Sequence, residues 1–372
     1  MLCQDADDLL FREPLSLYLG ADANPIRGII PGAGQSAVDN QYITTINYRS
    51  NAWRIIRVGG SLMKLNGFDV FRRTLRNKFR KYPDQKDPRY RNHIILPHFE
   101  PSFHISRQSS VFTIGSCFAR EIEGYLLRQG VAVPTSRFTA PPEEAPGYAN
   151  RILNQYNPGT MLQCIDFAGQ PAVDCGLYEV GDGQVQDCLL ATGGRPVSRA
   201  RAMERRAQIN TLYAEGLQAS DTVVITLGLI EAWYDRETGL FLNELPPPKK
   251  LKAQKSRFEF KRMNVHDVEK IVAEMIEKLS NDRRRNIILT VSPVPLQTTF
   301  SGGDAVVANA YSKSILRVVV ETMSKQFPNV DYFPSYEIVT TAGLRALGPD
   351  NIHVRPAVVG EIVKHMMSGY LK

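Results

Sequence analysis

From residue 109 onward, short apolar runs alternate with segments of helical period. Val111 to Ile114 is an apolar run that reads as a strand. Directly after it Phe118, Ile122, Tyr125 and Leu126 fall at i, i+4, i+7 and i+8, one face of a helix beginning at about Cys117. DTVVITLG (221–228) and RNIILTVSP (285–293) are β-branched apolar runs of the kind buried on both faces of a sheet, and Pro293 stops the second. VHDVEKIVAEMIEKLS (265–280) has strong helical periodicity. Asp304 is placed to cap a long helix reaching about Gln326, with Ala308, Tyr311, Ile315, Val319 and Thr322 as its apolar stripe. VDYFP (330–334) reads as a short strand, and a terminal helix starts at about Ala357. Strands alternating with helices predict an α/β fold with a mostly parallel sheet of about five strands, covered on both faces. No internal repeat is visible.

Three stretches depart from this rhythm. Residues 1–105 combine Gly-, Pro- and Asn-rich loops (20–42) with a candidate helix and the basic stretch FRRTLRNKFRKYPDQKDPRYRNH, and read as an N-terminal extension packed on a main domain at 106–372. Residues 131–220 look irregular, with an antiparallel hairpin or cap expected. Residues 235–262 carry PPPKKLKAQKSRFEFKR, a Pro- and Lys-rich loop of the kind that borders active sites.

Composition narrows the class. An apolar content of 43% with mixed charge is that of a globular protein. The net charge of +7 favours anionic partners but is spread along the chain. Aromatic residues flank basic ones around Phe79, Tyr82 and Tyr90, yet no nucleic-acid motif accompanies them, so neither nucleic acid nor a membrane surface is the expected partner. The acidic start MLCQDADDLLF lacks an apolar signal core, and no apolar run is long enough to span a membrane. The cysteines, Cys3, Cys117, Cys164, Cys175 and Cys188, are odd in number and form no CxxC pair, which points to reduced thiols in the cytoplasm and to no metal site. The sequence leaves the oligomeric state open.

The candidate chemistry lies where strands end, because ligands of parallel α/β sheets bind at the carboxyl ends of the strands. Gly115-Ser116-Cys117 puts two nucleophiles at a helix N-terminus, where unpaired amides and the helix dipole lower a thiol pKa and stabilise an oxyanion. Gly115 permits the sharp turn. His353 is placed to act as general base and Asp350, three residues earlier, to orient its ring. Gly228, at the end of another strand, offers a second oxyanion N–H, with Glu231 following it. Ser292-Pro293-Val294-Pro295 ends a third strand.

IGSCFA followed by a helix resembles the signature of the GSCFA domain family. TLGLIEAWYD, FEFKRM, TVSPVPL, ANAYSKSILR, YFPSYEI and DNIHVRP agree with it in order, over roughly residues 97–366. That family is similar to the SGNH (GDSL-like) hydrolases, which implies a flavodoxin-like three-layer α/β/α sandwich and the chemistry of esterases, lipases, carbohydrate deacetylases and O-acyltransferases. The superfamily's Gly-Asp-Ser puts its nucleophile two residues after the glycine, which is Cys117 here, with Ser116 the alternative. Its D-x-x-H corresponds to Asp350 and His353. Its Gly-x-Asn-Asp block corresponds to Gly228-Leu229-Ile230-Glu231, so Ile230 stands where the oxyanion asparagine belongs. Asn157 or Gly159, in Tyr156-Asn157-Pro158-Gly159, falls near the second oxyanion block. Related capsule-biosynthesis enzymes carry Gly-Asn-Cys-Gln at the nucleophile turn and are linked to coenzyme A. The resemblance therefore implies an acyl-ester enzyme, hydrolase or acyltransferase, acting on an acylated carbohydrate or glycoconjugate. It needs no cofactor beyond coenzyme A or an acyl-coenzyme A donor, whose phosphates Lys249, Lys250, Lys252 and Lys255 would screen. The alternative is a non-catalytic binding module of polysaccharide biosynthesis.

Overall fold

The computed structural model describes residues 65–372 except 146, 148 and 281–284, together with the backbone at 57, 58, 60 and 61. The expectations for Cys3 and for the loops at 20–42 lie outside the described residues. The chain divides into two compact units after Arg76. In the first, Arg57–Val58 (β1) pairs antiparallel with Gly60–Ser61 (β2), and Gly67–Arg76 forms α1, with Phe68, Phe71 and Leu75 exposed.

The second unit, Asn77–Lys372, begins with Tyr90–Arg91 (β3) paired to Ile94–Ile95 (β4). Val111–Gly115 (β5) then runs straight into Cys117–Arg128 (α2). The segment read as irregular with an antiparallel hairpin or cap, 131–220, does contain an antiparallel hairpin, along with helices. It holds Pro158–Asp166 (α3), the antiparallel set Leu177–Gly181 (β6), Gln184–Asp187 (β7) and Val197–Ser198 (β8), and Arg199–Ala219 (α4). Thr222–Leu227 (β9) follows. The Pro- and Lys-rich stretch is also structured: Glu231–Asp235 (β10) lies between Leu240–Leu242 (β11) and Phe258–Arg262 (β12), with Pro248–Ala253 (α5) inserted. Val265–Ser280 (α6), Asn286–Val291 (β13), Ala305–Gln326 (α7), Val330–Tyr332 (β14), Ser335–Ala342 (α8) and Pro356–Tyr370 (α9) complete the chain.

The central sheet has four strands, not about five, in the order β14-β13-β9-β5, every neighbour parallel. The other strands of the unit pair in short antiparallel groups, because hairpin connections cannot deliver a strand parallel to the sheet. β5, β9 and β13 are buried almost throughout, as their unbroken apolar runs require. Alternate residues enter different cores. Ile114, Ile225 and Leu289 meet α4, α6 and α7, whereas Val111, Val224 and Ile288 meet α2, α8 and α9. Residues 94–105 join the second core: Phe99 lies edge-on to Phe333 and His365.

α7 starts as expected, its first amides at Val306 and Val307 donating to the Asp304 carboxylate. Its buried face is rotated from the predicted stripe. Tyr311 is exposed and Thr322 half-buried, while Ser312, Lys313, Leu316, Val320 and Met323 are buried.

Candidate functional site

The turn from β5 into α2 is pressed against β9. Gly115 has φ of 138°, and a Cβ built there would lie 2.2 Å from Thr226 Oγ1 and 2.4 Å from Thr226 O. That close approach lets the Ser116 N–H donate to Thr226 Oγ1 at 3.0 Å. A Gly115→Ala change meets both a positive φ and a backbone carbonyl that cannot rotate away. It is expected to cost about 3 kcal/mol or more of stability. A urea-denaturation midpoint equal to that of the unaltered protein would contradict this account of the turn.

Ser116 is the N-cap residue of α2 by backbone position, but its hydroxyl makes no cap bond and donates to Ser292 Oγ at 3.0 Å. Cys117 is the first helical residue and is half-buried. The expectation of a lowered thiol pKa is not met. Burial pushes the Cys117 thiol up and the Glu121 carboxylate, one turn on, adds to it. Against them act Lys313 and the nearby amides of Phe118 and of Cys117 itself. The helix N-terminus does what the sequence promised, but desolvation is larger. At neutral pH Cys117 is therefore held as the thiol.

Lys313 was not anticipated. It is fully buried on α7, and its ammonium donates at 2.8 Å to the carbonyls of both Gly228 and Ser292, tying together the ends of β9 and β13. Burial pulls it down to about 7, with the Cys117 charge acting in the opposite direction. The only sequence signal was its place in ANAYSKSILR, beside the apolar positions but off the predicted stripe. Tyr156 was likewise missed as a site residue. Burial raises its phenol, and so does the neighbouring Cys117 charge. The loop bearing it runs along the nucleophile turn, with Gln155 N–H donating to Gly115 O at 2.8 Å. In the same loop the buried Asn154 has an Oδ1 with no partner among the described residues.

The other candidates divide. Gly228 abuts the Tyr156 loop: a Cβ there would lie 2.5 Å from Tyr156 O. Its carbonyl accepts a hydrogen bond from Lys313 at 2.8 Å. Ile230 is fully buried in the core. Glu231 points to the loop after β13, accepting from Thr299 Oγ1 at 2.7 Å and Phe300 N–H at 3.0 Å. Asn157 caps α3, accepting from Thr160 N–H at 3.0 Å, and its amide donates to Leu242 O. Gly159 is glycine because Phe241 would lie 2.3 Å from its Cβ. Asn157 and Gly159 thus fix α3 and the neighbouring strand.

The Asp350–His353 pair is assembled. His353 Nδ1 lies 2.5 Å from Asp350 Oδ2, and Asp350 Oδ1 accepts from the amides of Ile352 and His353. The His353 side chain and these amides hold the Asp350 carboxyl down to about 2, so it stays ionised at neutral pH. The end of α9 lies at Ile105, whose N–H donates to Tyr370 O at 2.7 Å, and the chain after α2 returns to the start of β5, where Val111 N–H donates to Ala132 O at 2.8 Å. Both helices pack on one core. The imidazole is nonetheless 73% exposed, and no hydrogen bond among the described residues joins it to Cys117 or Ser116.

A model described as the GSCFA family matches residues 110–366, more than half of the chain. The chain belongs to the GSCFA family. The match starts one residue before β5 and ends inside α9, so in this GSCFA protein it takes in every candidate just described. No curated protein matches the chain. Among the described residues, no helix is long and apolar enough to cross a membrane, and no group of three or more His, Cys, Asp and Glu side chains could hold a metal ion. Cys117, Cys164, Cys175 and Cys188 are free.

Proposed function

We propose that this GSCFA protein is an acyl-ester enzyme, an esterase or deacetylase or an O-acyltransferase, acting on an acylated carbohydrate or glycoconjugate. Its core is taken as an SGNH-like three-layer α/β/α sandwich. The observation that carries the reading is Cys117 on the first turn of α2, together with an assembled Asp350–His353 pair ahead of α9. In the first half-reaction, Sγ forms a bond to the acyl carbonyl carbon as the thiol proton passes to His353 Nε2. Asp350 holds Nδ1, which leaves Nε2 as the basic nitrogen. The carbonyl oxygen takes the negative charge and is met by the amides of Cys117 and Gly228, since Ile230 brings no donor. Collapse breaks the ester bond, and His353 returns the proton to the departing alcohol or coenzyme A thiol. Water or a sugar hydroxyl then takes the acyl group from the thioester. The exposed imidazole must swing inward, by movement of the loop from Gly348 to Val354, for the proton to pass. Lys249, Lys252 and Lys255 are exposed and Lys250 half-buried around α5, a basic segment fitted to the phosphates of an acyl-coenzyme A donor.

The test is to trap the acyl-enzyme. The protein is incubated with p-nitrophenyl acetate and with acetyl-coenzyme A, quenched in acid and mapped by peptide mass spectrometry. One acetyl group on the Cys117 peptide is expected with at least one donor. Two observations favour the other reading, a binding module of polysaccharide biosynthesis: the uncoupled imidazole and the apolar Ile230. Saturable oligosaccharide binding with no adduct on Cys117 or Ser116 would establish that reading instead.

A further inference from the structure

Lys313 invites a question that its packing does not answer. Two carbonyl oxygens at the ends of β9 and β13 need donors, but a neutral amide or hydroxyl would serve them without bringing a charge into the interior. What lysine adds there is a group able to carry a positive charge. An ammonium has three N–H groups and two are committed to Gly228 and Ser292, so its position is fixed although its stem is long. The fixed point lies beneath the nucleophile turn. Ser292, whose carbonyl binds Lys313, also takes the hydrogen bond from Ser116, the residue next to Cys117.

We propose that Lys313 is the positioning residue for the nucleophile's charge: its buried ammonium is the counter-ion of the Cys117 thiolate. The inference rests on the reading of Cys117 as the working group and says what makes that group usable. Each titratable group facing Cys117 has a sign. Glu121, on the same helix, disfavours the thiolate, and Tyr156 bears no charge until its raised phenol ionises. Lys313, from α7, is the one charged side chain among those acting on the thiol that favours the thiolate. The effect is mutual, since Cys117 favours the charged lysine against burial. Thiolate with ammonium and thiol with amine differ only in where one proton sits, so the two groups titrate as a pair. In this arrangement His353 removes a proton from a thiol whose anion already has a partner, and the lysine itself need not touch substrate.

The test follows the thiol and the amine directly rather than turnover. Iodoacetamide alkylation of the Cys117 peptide is timed by mass spectrometry between about pH 6 and 10, a range spanning the ordinary thiol pKa. Lys313→Met is expected to slow alkylation at neutral pH by about tenfold or more and to move its midpoint upward by about one unit. An unchanged profile in the folded variant would overturn the proposal. Should Lys313→Met not fold, the reciprocal measurement uses an intact core: lysine Cε labelled with carbon-13 is titrated by NMR in the unaltered protein and in Cys117→Ser. The Lys313 midpoint is expected to fall when no thiolate can form, and identical curves would overturn the coupling. Neither readout depends on an acyl substrate. A shifted profile without any acyl-enzyme would therefore keep the ion pair and remove the enzymatic reading.

Discussion

Cys117→Ala is expected to lower turnover of an activated acyl ester by about a thousandfold or more, while Ser116→Ala keeps most of it. Cys117 is the half-buried residue with amides nearby, whereas the Ser116 hydroxyl is buried and already committed to Ser292. A serine donating its proton to another serine has no base beside it, and neither Asp350 nor His353 bonds to it. Ser116→Ala should cost about 1 kcal/mol of stability, the ordinary value of one hydrogen bond, and little rate. Because burial and Glu121 raise the thiol, the rate carried by Cys117 should climb with pH through neutrality and into the alkaline range, with no acid limb from Asp350 above about pH 3. Stopped-flow hydrolysis of p-nitrophenyl acetate by the two variants reads all of this. Full activity in Cys117→Ala with none in Ser116→Ala would reverse the assignment.

The strands β5, β9, β13 and β14 and the helices α2, α6, α7 and α9 were legible because each buries an apolar run or stripe with a period of its own. Within residues 131–220 the antiparallel hairpin was legible and α4 was not. α4 buries Arg205 and Arg206 along with Ile209, Tyr213 and Leu217, so the polar residues that mark a solvated face in most helices mark an interior one here. The same inversion hid Lys313. A lysine beside an apolar stripe reads as the edge of a surface, and only the carbonyls of Gly228 and Ser292, distant in sequence, make its burial tolerable. The turn from Gly115 to Cys117 and the Asp350–His353 hydrogen bond were readable because both are local. Gly115 to Cys117 and Asp350 to His353 are short spacings whose geometry the chain itself sets. The sign of the Cys117 shift was not readable, since it depends on how much of β9, the Tyr156 loop and α7 closes around the sulfur. Asn157 and Gly159 also have a structural part that the sequence did not single out. Asn before Pro-Gly is as good a helix cap as an oxyanion donor, and α3 uses it as a cap.

Asp187→Ala is expected to destabilise the larger unit by about 3–5 kcal/mol, through charges left behind rather than the contact removed. Asp187 ends β7 with no solvent exposure. It accepts from Arg206 Nη2 at 2.7 Å and Nε at 3.0 Å, from Arg205 Nη2 at 3.5 Å, and from the Leu189 N–H at 3.1 Å. Arg205 continues to Glu144 at 3.0 Å, and Glu144 to Arg201 at 2.8 Å. Burial pushes the Glu144 carboxyl up, but the hydrogen bonds from Arg201 and Arg205 outweigh it and hold the group below its ordinary value. The array therefore alternates three guanidinium groups with two carboxylates. Without Asp187, Arg206 keeps only the carbonyls of Val173 and Cys175, and Arg205, whose Nε already lacks a partner, leans on Glu144 alone. Two buried cations would then face one carboxylate. Asp187→Asn, which keeps an acceptor and the shape but not the charge, should lose less. Since the array is shielded from solvent, added salt should change the difference between the variants little. Urea denaturation followed by far-UV circular dichroism measures it, and an Asp187→Ala midpoint equivalent to a loss under about 1 kcal/mol would show that these arginines find other partners or water. A large loss has a consequence for the site, because α4 leads directly into β9, whose Thr226 holds the Ser116 amide. Partial loosening of α4 should then appear as slower alkylation or altered protection of Cys117 before the sheet itself unfolds.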